Sequence, residues 1–85
     1  MTIELLYFAW VRERVGKASE TVSAPAEVTT VAELIDWLAR DSAVHADAFV
    51  DRARLRAAVD QIFVPLDAPL GNAREVAIFP PVTGG

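Results

Sequence analysis

No cysteine occurs among the 85 residues, and histidine and methionine occur once each. Without thiols there is no disulfide framework, no thiolate metal site and no cysteine nucleophile, and a reducing compartment suits the chain. The single histidine, His45, has neither a second ligand nor a nucleophile beside it in sequence. A solvated or locally hydrogen-bonded side chain is therefore favoured over catalysis, and no metal is expected. Eight Lys and Arg face twelve Asp and Glu, a formal charge of -4. The basic residues form no run interleaved with aromatics, so nucleic acid is not an expected partner. No apolar stretch approaches the roughly 20 residues of a membrane span. The opening Met1-Thr2-Ile3-Glu4 lacks the basic start and apolar run of a signal peptide, so the expectation is a cytoplasmic chain with no membrane partner. Also missing are a Gly-rich phosphate loop, a carboxylate pair set by helical spacing, internal repeats and low-complexity linkers.

What is present is a high apolar content, 53% of residues. A chain this short buries only about 60% of its unfolded surface, so that content is needed for one core rather than a cofactor cavity. Thr2 to Phe8 suits a central strand, with Ile3, Leu5 and Tyr7 on one face and Leu6 and Phe8 on the other. Ala9 to Val15 has helical spacing and is stopped by Gly16. Glu20 to Ala24 then reads as a strand paired with the first. Thr30-Val31-Ala32-Glu33 is a capping box, because the Thr hydroxyl and the Glu carboxylate can each satisfy a free amide at a helix start. Val31, Leu34, Ile35 and Leu38 continue from it as one apolar stripe. Trp37 lies off that stripe and is read as packing at the helix edge rather than as a ligand contact.

Asp41 to Asp51 reads as a loop or short helix. Leu55 to Val64 reads as two antiparallel strands joined at Asp60-Gln61. Pro65 to Asn72 is an irregular connection, and Glu75-Val76-Ala77-Ile78-Phe79 is a last strand that closes the sheet and ends at Pro80-Pro81. This order predicts an α+β roll of the β-grasp, ubiquitin-like kind, a mixed sheet with one main helix across one face. Residues 1–81 would form the domain and 82–85 a flexible Gly-Gly tail.

The tail is where chemistry can reside. Val82-Thr83-Gly84-Gly85 can extend about 13 Å at roughly 3.3 Å per residue, enough to enter another protein. The glycine pair has no Cβ atoms and can thread a narrow channel, while Pro80-Pro81 hold its base extended. Read alone, the dipeptide is more readily a frayed terminus than a functional one.

The wider pattern resembles a family, the small subunits of molybdopterin synthase, which are ubiquitin-like sulfur carriers. The resemblance runs end to end. Its most specific part is Glu75-Val76-Ala77-Ile78-Phe79-Pro80-Pro81-Val82-Thr83-Gly84-Gly85, supported by Tyr7-Phe8-Ala9-Trp10-Val11-Arg12-Glu13 and Ala57-Ala58-Val59-Asp60-Gln61. The resemblance implies that Gly85 is adenylated by an enzyme of the ubiquitin-activating kind and converted to a thiocarboxylate with sulfur from a donor protein. Gly84 would allow threading, and the large synthase subunit would use the sulfur to build the dithiolene of molybdopterin. The chain would then be a donor and not an enzyme, with no stably bound cofactor and with ATP used only by its activating partner. Heterotetramers around two large subunits are implied too.

By the same resemblance Phe8, Phe63 and Phe79 form an apolar patch that grips these partners. Arg12 lies nearby, and Pro80, Pro81, Val82 and Thr83 lead the tail inward. The alternative reading of the residues places the three phenylalanines in the core and Arg12 in solvent. Where the family usually has a Gly-Asp turn before the last strand, this chain has Asn72-Ala73-Arg74. Rival functions are a carrier for thiamine or a tungsten cofactor, a ubiquitin-like protein modifier, and an interaction module with an inert tail.

Overall fold

A computed structural model describes residues 1–81, so the expectations for residues 82–85 lie outside the described residues. The first strand, β1, is Thr2–Tyr7 and is followed by helix α1, Ala9–Val15, and strand β2, Ser19–Ser23. Helix α2 is Val31–Arg40, helix α3 is Ala43–Ala48, and a single 3-10 turn spans Arg52–Arg54. Strands β3, Arg56–Val59, β4, Ile62–Val64, and β5, Glu75–Phe79, complete the chain.

The five strands lie in the order β2-β1-β5-β3-β4, with β1 and β5 parallel and the other neighbours antiparallel. This is the expected mixed sheet. The last strand closes it from within, inserted in the middle between β1 and β3. Its run Val76-Ala77-Ile78 is buried throughout: Val76 and Ile78 face the core, and the small Ala77, on the other face, lies at the floor of a hollow among larger side chains. β1 is interior, although it is not the middle strand.

One face of the sheet carries the core. Ile3, Leu5 and Tyr7 of β1, Val76 and Ile78 of β5 and Ala57 of β3 pack with Val31, Leu34, Ile35 and Leu38 of α2. Val11 and Val15 of α1 and Ala48 and Phe49 at the end of α3 fill the rest. Three helices therefore seal this face, and α2, the longest, is the expected main helix. Trp37 is half-buried against the core, as expected.

Local chemistry fixes the element ends. Glu33 N–H donates to the Thr30 hydroxyl at 3.1 Å, and the Glu33 carboxylate accepts from Thr30 N at 3.1 Å and from Thr29 N and Oγ1 at 2.8 Å each. Those bonds, first the one from the Thr29 amide, hold the Glu33 carboxyl below its ordinary range. Gly16 ends α1 at φ +90° and donates its N–H to the Arg12 carbonyl, a left-handed cap that a Cβ would strain. Asp60 and Gln61 turn β3 into β4 with φ of +48° and +71°, the pair of positive angles that matches strand twist in a two-residue hairpin.

The Asp60 side chain explains the unusual Asn72-Ala73-Arg74 approach to β5. Its Oδ1 accepts from the amides of both Arg74 and Glu75 at 3.0 Å, so the hairpin tip supplies a carboxylate to the turn. Leu55, expected within the strand, lies just outside it as the end of the 3-10 turn.

Candidate functional site

The sheet face opposite the helices is apolar over part of its area. Across it, Phe63 of β4 pairs with Ala58 of β3, Ala58 pairs with Ala77 of β5, and Ala77 pairs with Leu6 of β1. Two alanines in the middle of that row leave a hollow between larger side chains. Phe8, Phe63, Phe79, Pro80 and Pro81 surround it, giving a shallow trough of about 500 Å³. Phe63 and Phe79 meet at a ring-centroid distance of 5.4 Å and a tilt of 44°, within the range of favourable aromatic pairs.

Exposure decides between the two readings of the phenylalanines. Phe63 is 76% exposed and Phe8 48% exposed, while Phe79 is half-buried. The core reading fails because Val76 and Ile78 already fill the inner face of β5. Phe8 also departs from the strand reading. It stands one residue past β1 as the N-cap of α1, with no side-chain cap bond, and the left-handed φ of +53° at Ala9 turns the chain sharply there.

Pro80 and Pro81 carry the chain out of β5 along the rim of the trough. Val82, Thr83, Gly84 and Gly85 lie beyond the described residues. Arg12 is exposed on α1 and does not line the trough; of the residues expected at a partner surface, it alone among those described stands apart from it.

A further recess, about 350 Å³, shares the same proline pair and is lined by Trp10, Arg54, Pro80 and Pro81. Arg14 and Arg54 place their guanidinium carbons 5.2 and 5.3 Å from the centre of the Trp10 ring. The i, i+4 spacing of Trp10 and Arg14 on α1 was a signal available in the sequence. Arg54, far along the chain, was not.

His45 is neither solvated nor only locally bonded. Its Nε2 faces Glu20 Oε2 at 2.7 Å and its Nδ1 faces the Ser42 hydroxyl at 2.6 Å, while the Tyr7 hydroxyl donates to the same Glu20 oxygen at 2.6 Å. Glu20 can only accept as a carboxylate, so the imidazole carries hydrogen at Nε2. Burial pushes the Glu20 carboxyl up, but the bonds from Tyr7 and His45 and the charges of His45 and Lys17 outweigh it and hold the group below its ordinary value. Burial, then the bond to Glu20, pushes the Tyr7 hydroxyl far above its usual range.

The order Ser42, His45, Glu20 has the connectivity of a nucleophile, base and carboxylate. It is nonetheless closed on itself. The Ser42 oxygen also caps α3 through His45 N–H at 3.3 Å, and Glu20 is shared with Tyr7. It ties α3 to β1 and β2. No group of three or more His, Asp or Glu that could hold a metal occurs among the described residues. None of their helices is long and apolar enough to cross a membrane.

Residues 5–85 match the model of the ThiS family. The chain belongs to that family. This ThiS-family chain is 46% identical to the molybdopterin synthase sulfur carrier subunit of Escherichia coli, over 98% of its own length and 99% of the relative's. It is 31% identical to the subunit of the same name from Haemophilus influenzae, with the same two coverages. Among solved structures it is similar to SAMP1, a small archaeal modifier protein from Haloferax volcanii. There the TM-score is 0.72, the identity 23%, and the coverage of both chains 100%. That likeness speaks to the fold, and the fold of this ThiS-family chain is the expected β-grasp.

Proposed function

We propose that this chain is the sulfur carrier of molybdopterin synthase, a donor subunit without catalytic groups of its own. The observation that carries the reading is full-length identity of 46% to a subunit of that name. The aromatic trough beside Pro80-Pro81 supports it, since it offers a partner a grip at the base of the tail.

In this reading the Gly85 carboxylate attacks the α-phosphorus of ATP in a separate activating enzyme, releasing pyrophosphate and forming an acyl adenylate. The activated carbonyl carbon is then attacked by hydrosulfide released from a sulfur donor, the acyl–phosphate bond breaks, and AMP leaves with the thiocarboxylate remaining on Gly85. The resulting thiocarboxylate enters the large synthase subunit, where its sulfur displaces an oxygen substituent of the pterin precursor to form a thioester; water then cleaves the acyl–sulfur bond, leaving sulfur on the pterin and a carboxylate on Gly85. Gly84 lets the backbone thread the channel, and Val82 and Thr83 span it. Phe8, Phe63 and Phe79 hold the large subunit and the activating enzyme in turn. An arrangement that must serve two partners in sequence needs a shallow, reusable surface rather than a closed pocket.

Intact-mass analysis after incubation with the activating enzyme, ATP and a sulfur donor tests this reading. One oxygen exchanged for sulfur adds about 16 Da, and deletion of Gly85 removes the gain without unfolding the domain. A Gly85-deleted chain that still supported cofactor synthesis would sink the proposal. Isopeptide conjugates to lysines in cell extract would favour a protein modifier instead.

A further inference from the structure

The Trp10 corner has features that the aromatic trough does not use. Trp10 is half-buried against the core, so its ring is a fixed plate. Arg14 and Arg54 reach that plate from different elements, α1 and the 3-10 turn. Both are exposed, and neither makes an ion pair among the described residues, where the three pairs are Lys17–Glu20, His45–Glu20 and Arg52–Asp36. Glu13, next to Arg14 in sequence, does not neutralise it. Among the described residues, two guanidiniums without an ion pair thus share one indole ring on a chain whose formal charge is -4.

Stacking gives these guanidiniums a purpose that loose surface arginines lack. A guanidinium lying on an indole ring spends part of its freedom before any partner arrives, and its N–H edge remains open for a carboxylate. The recess that Trp10 and Arg54 border shares Pro80 and Pro81 with the trough, and Arg14 reaches the same Trp10 ring, so a protein that seats on the trough and takes the tail also meets this corner. Fully extended, the four residues after Pro81 could reach at most about 13 Å. The corner therefore meets the rim of the channel, far from the site where anionic substrate is held, and its counterpart is protein carboxylate rather than phosphate.

We propose that Trp10, Arg14 and Arg54 dock against acidic side chains at the rim of the tail channel in the large synthase subunit. The contact steers the acidic carrier to that rim and sets the direction from which the tail enters. This rests on the sulfur-carrier reading above.

The test is the association rate of the full chain with the large subunit of the same organism, followed by stopped flow from low to high salt. The wild type is compared with the Arg14→Gln/Arg54→Gln and Arg14→Lys/Arg54→Lys double variants. Two exposed rim charges removed together slow association about 3- to 10-fold at low salt, and the difference vanishes at high salt. The lysine pair keeps the fast association but dissociates faster, because the planar fork is lost. A packing role for the arginines would lower the melting temperature of the glutamine pair and leave its salt dependence unchanged. If the glutamine pair associates at the wild-type rate with the wild-type salt dependence, the docking proposal is overturned. The carrier reading then still stands on the mass gain at Gly85. If the wild type itself does not bind the large subunit, both fall together.

Discussion

Replacing Phe63 by Ala separates folding from recognition, and the structure sets the size of each effect. Complete burial of a phenylalanine side chain is worth about 1.5–3 kcal/mol. Phe63 is 76% exposed in the free chain, so only about a quarter of that value, roughly 0.4–0.7 kcal/mol, is realised on folding. The remaining three quarters becomes available when a partner covers the trough, roughly 1.1–2.3 kcal/mol, or about 6- to 50-fold in Kd. The contact with Phe79 at 5.4 Å is lost as well, which exposes the second ring and pushes the binding effect toward the upper end. Urea denaturation measures the first quantity, and titration calorimetry against the large synthase subunit measures the second. Loss of apolar burial should also make the heat-capacity change of binding less negative. A variant destabilised by more than about 2 kcal/mol would mean that Phe63 belongs to the core. One that bound with unchanged Kd would refute the use of the trough as the docking face.

Other outcomes follow from the polar groups. Glu20→Gln leaves Tyr7 and His45 without their shared anion and should cost about 1–3 kcal/mol at neutral pH, read from the urea midpoint. A carboxyl held low in the fold adds stability above its ordinary value of 4.5 and loses it as pH falls through the folded value. The wild type should therefore lose stability on the acid side of that value, and the Gln variant should show a shallower acid limb. Thr30→Ala removes one half of the capping box and should cost about 1 kcal/mol. In a domain of this size that lowers the melting temperature by about 4–8 °C in calorimetry.

Features encoded by neighbours in sequence were legible. Thr30 and Glu33 announce their helix because the cap is closed within one turn, and Asp60-Gln61 announces its hairpin because the turn chemistry is local. The position of β5 was not legible from alternation alone. Its unbroken Val76-Ala77-Ile78 was a weak signal for an interior strand, since an edge strand seldom puts apolar residues on both faces. The Tyr7–Glu20–His45 network escaped because Glu20 and His45 lie 25 residues apart; no periodicity records a contact made by folding α3 over β1 and β2. The phenylalanine trough was half legible. A resemblance suggested three exposed rings, but the hollow between them depends on Ala58 and Ala77 lying opposite each other in register, which only the sheet shows.

The parallel pairing of β1 with β5 has a mechanical consequence. Met1 lies at the start of one strand and the tail leaves from the end of its parallel neighbour, so a pull between the two chain ends drags the strands past each other lengthwise. Their hydrogen bonds, paired from Glu4 with Glu75 to Tyr7 with Ile78, then share the load together instead of opening one by one. Force applied between Met1 and the end of β5 therefore has to break that row of bonds at once, and the domain resists stretching along this direction more than peeling from an edge.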